Sequence, residues 1–163
     1  MRKLSDRYIL TISIKKWLPV ILFLIITSCS SPLIKTNPEN FSDTSSVTIT
    51  CDATKGNKGL LNYTGTVYVH LGLITDSSIS PNDWRYVKFN WGSEQKEALA
   101  MPAGKNRWSY SIPNIREFFE VKEKEKLLNI AILFRSGNCL DTFCKVLRNE
   151  DKTDIFIPVT TGQ

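Results

Sequence analysis

Short apolar–polar alternations, each bounded by turn residues, constrain this chain more than any other feature. Side chains alternate faces along a strand, so an apolar residue at every second position means one face on a core and the other in water. Residues 46–53 follow this rule, with Val47, Ile49, Cys51 and Ala53 on one face. So do 66–71, 84–91 and 107–112, and 127–135 and 153–159 read as more deeply buried runs. A seventh strand is expected near Glu97–Met101. The pattern predicts an all-β fold, a β-sandwich of about seven strands. One segment departs from it. Ile115, Phe118 and Phe119 within 113–121 are spaced for a short helical turn against the core. The Lys122–Lys126 charge run reads as a solvated loop.

The first thirty residues follow a different logic. Arg2, Lys3, Arg7, Lys15 and Lys16 precede an apolar run from Leu18 to Ile26, which ends in Thr27-Ser28-Cys29. Basic, then apolar, then small is the order of an export signal. The run is about half of the roughly twenty residues needed to span a bilayer. Ile26-Thr27-Ser28-Cys29 has the form of a lipobox, so Cys29 is the expected site of lipidation. Two lipid signals on one cysteine give stable anchoring without a membrane span. Domain boundaries follow: a lipoprotein signal peptide over 1–28, the lipidated cysteine and a flexible tether over 29–45, and the β domain over 46–163. With no aspartate directly after Cys29, the outer membrane is the expected destination, facing either side.

Removing the leader changes the charge argument. It takes away five of 21 basic residues but one of 16 acidic ones, leaving a nearly neutral domain. A nucleic-acid partner therefore loses its electrostatic basis. In an oxidising envelope, Cys139 and Cys144 are close enough in sequence to close a loop as a disulfide, the alternative being two free thiols. Cys51 falls on the apolar face of its strand, as expected of a buried, unreactive thiol.

The residue succession also has a likeness. Asp52-Ala53, Gly56-Asn57, Gly59-Leu60, Tyr63-Thr64-Gly65, Val67-Tyr68-Val69-His70, Gly72 and Ile74-Thr75 are followed by Trp84, Tyr86-Val87, Trp91-Gly92, Ile115-Arg116, Phe134-Arg135-Ser136 and Asp154-Ile155-Phe156. Over residues 47–159 this resembles an immunoglobulin-like domain at the N-terminus of some α-amylase-family glycosidases and in surface glycan-handling lipoproteins of Bacteroidota-type bacteria. The resemblance implies an immunoglobulin-like sandwich and binding of an α-glucan, beside a neighbouring glycosidase or glycan importer. The chain departs from the family pattern at 137–152, which carries two cysteines with Lys145, Arg148 and Lys152 in place of a Gly- and Asp-rich turn.

Sugar sites need flat aromatic faces for pyranose C–H groups and polar neighbours for hydroxyls. Trp84, Tyr86, Trp91 and His70 are the candidates. Alternation puts Trp84 with Tyr86 on one face of their strand and Trp91 with Phe89 on the other, and it points His70 outward. Trp108 is a weaker candidate, since core or sheet-face packing explains it better. For catalysis the chain lacks the H-E-x-x-H, G-x-S-x-G, phosphate-loop and C-x-x-C patterns. Asp52, Asp83 and Asp141 have no distinguishing spacing. The Lys55-Gly56-Asn57-Lys58-Gly59 run has no helix pattern after it, which favours a turn over a phosphate site. The expectation is a non-catalytic, lipid-anchored carbohydrate-binding module with no cofactor and no metal. Its rival is a structural or partner-binding subunit of an outer-membrane complex.

Overall fold

A computed structural model describes residues 31–137, 139 and 144–160. The leader and Cys29 lie outside the described residues. The strands are β1 (Ile34–Asn37), β2 (Val47–Asp52), β3 (Val67–Thr75), β4 (Met101–Pro102), β5 (Arg107–Ile112), β6 (Leu127–Ser136), β7 (Val146–Leu147) and β8 (Ile155–Pro158). The chain is all-β, with eight strands rather than seven, in two antiparallel sheets.

The first sheet has the order β1-β2-β5-β4. In the second, β3 pairs with β6, and both β7 and β8 pair along the far side of β6. Assigning the strands in order as A, B, C, D, E, F and a split G gives ABED and CFG, the immunoglobulin constant-type arrangement. Split strand G has a structural consequence, because residues 148–154 bulge out between β7 and β8.

Alternation builds the core. Val47, Ile49 and Cys51 of β2 and Trp108, Tyr110 and Ile112 of β5 face Val67, Val69, Leu71 and Leu73 of β3 and Ile130, Ile132 and Phe134 of β6, all buried. Each such aliphatic or aromatic side chain contributes about 1.5–3 kcal/mol when fully buried. A one-residue slip of β3 would drive Tyr68 and His70 inward and expel four apolar side chains, which holds the register. Burial pushes the Cys51 thiol up to about 12, so it is protonated and inert at neutral pH.

The short helix α1 (Ile115–Phe119) forms where its spacing predicted it. The Asn114 side chain accepts the Glu117 N–H at 3.2 Å, and Ile115 and Phe119 are buried. Cys139 and Cys144 are bonded to each other.

Three sequence expectations need correcting. Residues 29–45 are not wholly a tether: Ile34–Asn37 pair with Thr48–Cys51 as an edge strand, and Phe41 is buried. A four-residue strand between prolines is too short to show a period, and proline is tolerated beside an edge strand. The strand expected near Glu97–Met101 is a 3-10 turn at Lys96–Ala98 followed by the two-residue β4. Residues 84–91 are not a strand, for a reason that also shapes the site.

The Lys55–Gly59 turn is explained by close packing. A Cβ on Gly56 would lie 2.2 Å from the Arg148 carbonyl oxygen, and one on Gly59 would lie 2.0 Å from that of Val146. Asn57 completes the clamp: its side-chain oxygen accepts the Gly59 and Arg148 N–H groups, both at 3.0 Å, and its amide donates to the Val146 carbonyl.

Candidate functional site

The outer face of the second sheet is covered. On β6 the outward residues Ala131, Leu133 and Arg135 are buried almost completely, and residues 82–93 lie over this face. Arg85 exchanges backbone hydrogen bonds with Leu73 at 2.7 and 2.8 Å, and the Lys88 N–H donates to the Leu71 carbonyl at 3.0 Å. Gly72, between those partners, permits the approach, since a Cβ there would meet the Arg85 carbonyl oxygen at 3.0 Å. Tyr86 then adopts a left-handed backbone, φ 51°. That single residue breaks the two-residue alternation and reassigns every side chain after it.

The result is an aromatic corner centred on His70. The Trp84 ring stacks on the imidazole at 5.4 Å between centroids and 22° between planes. Trp91 meets the same ring edge-on, at 5.1 Å and 86°. Phe156 of β8 supports Trp84 from the side, 6.4 Å away. Trp84 is half-buried, and Trp91 is 44 % exposed. Together with Val87 and Leu133, the rings of His70, Trp84 and Trp91 line a shallow concavity of about 470 Å³, rimmed by Asn82, Arg148 and Asp154. Arg148 and Asp154 are ion-paired across the 148–154 bulge.

The state of His70 follows from its neighbours. Nδ1 lies 3.1 Å from the Phe89 carbonyl oxygen, which can only accept, so Nδ1 carries the proton. Burial lowers the histidine pKa below its usual range, the Phe89 contact opposes this, and the charge of Arg135 lowers it further. His70 is therefore neutral at pH 7, and its Nε2 is an acceptor, suited to receive a hydroxyl proton.

Arg135 stiffens this corner from beneath. Its guanidinium lies 5.4 Å from the Tyr68 ring centre and 5.8 Å from that of Trp91. It donates to the Ser136 carbonyl at 3.0 Å and to the Ser93 carbonyl, while Nε has no partner among the described residues. Burial lowers its pKa and the charge of Glu94 acts the other way, but guanidinium stays charged at neutral pH.

Of the four candidates, three converge and one does not. Trp84, Trp91 and His70 share the corner, although alternation placed the two tryptophans on opposite faces. Tyr86 leaves it: its hydroxyl donates to Glu125 Oε2, whose other oxygen accepts from Thr75 Oγ1 at 2.6 Å. This is a correction, and its cause is the left-handed turn at Tyr86. Trp108 is in the core. Asn82 comes from the polar loop 75–83, which joins the His70 and Trp84 segments and was open to supplying hydrogen bonds, whereas sequence reasoning missed Arg148 and Asp154 as rim residues, because they lie far from that loop in the chain. An arginine ending the apolar run Ile130–Phe134 was the one available signal for Arg135.

A larger concavity, about 720 Å³, lies between β1 and β8. Phe156 is the one aromatic ring among its lining residues, so it lacks the paired rings of the corner. Of the three carboxylates considered for catalysis, Asp52 and Asp83 are otherwise engaged. Burial favours protonation of Asp52, but hydrogen bonds from Thr54 and Arg107 outweigh it and hold the carboxyl at about 2. Asp83 accepts the Ile79 N–H at 3.1 Å within its own turn, and Asp141 lies outside the described residues. Among the described residues no three His, Cys, Asp or Glu side chains form a metal-sized group. No family model matches this sequence, and no curated protein is similar enough to count as a relative.

Proposed function

We propose that the chain is a non-catalytic carbohydrate-binding module, anchored to the outer membrane through a lipid on Cys29. The observation that carries this reading is the pairing of Trp84 and Trp91 around the neutral His70, beside the polar group of Asn82, Arg148 and Asp154. The indoles supply apolar faces for pyranose C–H groups, His70 Nε2 accepts from a hydroxyl, and the ion pair both accepts and donates.

The angle between the rings favours one glycan shape. Trp84 is nearly parallel to the imidazole and Trp91 nearly perpendicular to it, so the indoles form a corner rather than a flat shelf. A flat chain of β-linked glucose needs coplanar rings, whereas a curved α-linked chain turns from one face to the next. An α-glucan is therefore the preferred ligand, held for a neighbouring glycosidase or importer.

Titration with maltooligosaccharides and affinity electrophoresis in soluble starch test this. Trp84→Ala should weaken binding at least about tenfold, equivalent to about 1.4 kcal/mol. No retardation by any of a panel of neutral glycans would overturn it. Val87 and Trp91, each 44 % exposed, would also suit a protein partner. A stoichiometric protein recovered from detergent extracts without sugar, and released by Trp91→Ala, would favour that second reading.

A further inference from the structure

The two ends of the sandwich carry opposite charge. One pole gathers the approach to β1, the loops 53–66 and 103–106, and the described residues Gly137, Cys139 and Lys145. Its segments are tied together: the Asp52 N–H donates to the Leu33 carbonyl at 2.9 Å, the Asn62 N–H to Asn106 Oδ1 at 2.7 Å, and the Gly137 N–H to the Thr66 carbonyl at 3.2 Å. Described residues of this pole include Lys55, Lys58, Lys105, Arg107 and Lys145. The one acid among them is Asp52, buried and clamped by Arg107. Glu94 stands nearby, against Gly137, where its charge offsets that of Arg135. At the opposite pole, segments 38–46, 76–83 and 113–126 carry eight acidic and four basic side chains. The near-neutral total of the residues after the leader thus conceals a separation of charge along the strand direction.

The basic pole also presents the groups that favour a bilayer interface. Leu61 is 40 % exposed, and Lys145 Nζ lies 5.5 Å from the centre of the Tyr63 ring. An exposed leucine, a tyrosine and several lysines on one surface match the apolar–polar gradient at lipid headgroups. The anchoring geometry points the same way. Cys29 precedes Leu33 by four residues, a reach of at most about 14 Å, and Leu33 is already fixed to β2.

We propose that this pole is a membrane-facing surface that docks on anionic phospholipid headgroups and stands the sandwich upright, with the aromatic corner opening sideways. The proposal rests on the lipid-anchor reading and goes beyond it, since a lipid alone would leave orientation free. Attraction of several basic residues to an anionic leaflet, combined with repulsion of the acidic pole, selects one orientation. The effect weakens with salt, because the field of the surface falls off within a Debye length.

Amine labelling of the mature lipidated protein, read by mass spectrometry, tests it in phosphatidylethanolamine vesicles with and without phosphatidylglycerol. With phosphatidylglycerol, Lys58, Lys105 and Lys145 should label about threefold more slowly, while Lys124 and Lys126 are unchanged, and high salt should erase the difference. Lys58→Glu together with Lys145→Glu should restore fast labelling of Lys105; these side chains are exposed, and circular dichroism checks that the fold persists. Equal labelling of both poles, or protection that salt does not remove, would overturn the proposal. The anchor is read separately from the mass of the mature N-terminus. An unlipidated chain would overturn the anchoring reading, and the lysine pattern with phosphatidylglycerol vesicles at low salt would still decide the basic pole.

Discussion

His70 and Trp84 lie face to face, 5.4 Å apart, although they are fourteen positions apart in sequence and Trp84 is on no strand. Their contact exists because Gly72 lets the covering segment approach β3 while the Phe89 carbonyl holds the imidazole by Nδ1. A ring fixed at one nitrogen and stacked on one face has one edge left to offer a ligand.

The protonation of His70 gives the first prediction. In the unfolded chain it titrates near 6.5, and in the folded chain lower. As pH falls through 6.5 the unfolded state gains a proton that the folded state resists, so stability declines until pH passes the folded value; above 6.5 His70 has no effect. Urea unfolding at about pH 7.5 and about pH 5.5 should show this loss, and His70→Asn, which keeps a donor for the Phe89 carbonyl, should lessen it. An unchanged pH slope in the variant would exclude His70 as its source.

Tyr86 is expected to matter for stability and not for binding. Tyr86→Phe removes the hydroxyl that Glu125 accepts, in a half-buried setting, and should cost about 1 kcal/mol. Maltooligosaccharide affinity should stay within about twofold, the equivalent of about 0.4 kcal/mol. A tenfold loss would return Tyr86 to the site.

Gly59 should tolerate no side chain. The Cβ of Gly59→Ala would lie 2.0 Å from a backbone oxygen of β7, which cannot rotate away. The expected cost is about 2 kcal/mol or more, seen as a lower urea midpoint. A neutral substitution would mean that β7 shifts freely.

Arg135→Lys keeps the charge but loses the planar fork that reaches both the Ser93 and Ser136 carbonyls. One carbonyl is left without its donor, at a cost of about 1–3 kcal/mol. Thermal unfolding measures this, and a melting temperature equal to the parent's would show that a single ammonium suffices.

The alternating runs made the sandwich legible, because side-chain direction along a strand is a local property that repeats every two residues. Val47, Ile49 and Cys51, or Val67, Val69 and Leu71, declare a buried face without reference to the rest of the chain. The outward placement of His70 followed from the same rule. Strand β1 was not legible, since four residues are too few to show a period and its partner is what makes it a strand.

The site was legible in its residue types and not in its arrangement. Trp84, Trp91 and His70 stood out as aromatic groups, but alternation separated the two indoles and joined Trp84 to Tyr86. Only the tertiary structure reversed this, because the left-handed turn at Tyr86 is set by pairing to β3 and by the space above Gly72. Arg148 and Asp154 reach the rim through a bulge in strand G, and the two charged poles arise because antiparallel strands gather distant loops at each end. For the alternating strands β2, β3 and β5 the sequence alone determines which face meets the core, since that depends on neighbours two residues away. Which side chains meet across strands and loops is decided by packing, where contacts between distant residues outweigh local preference.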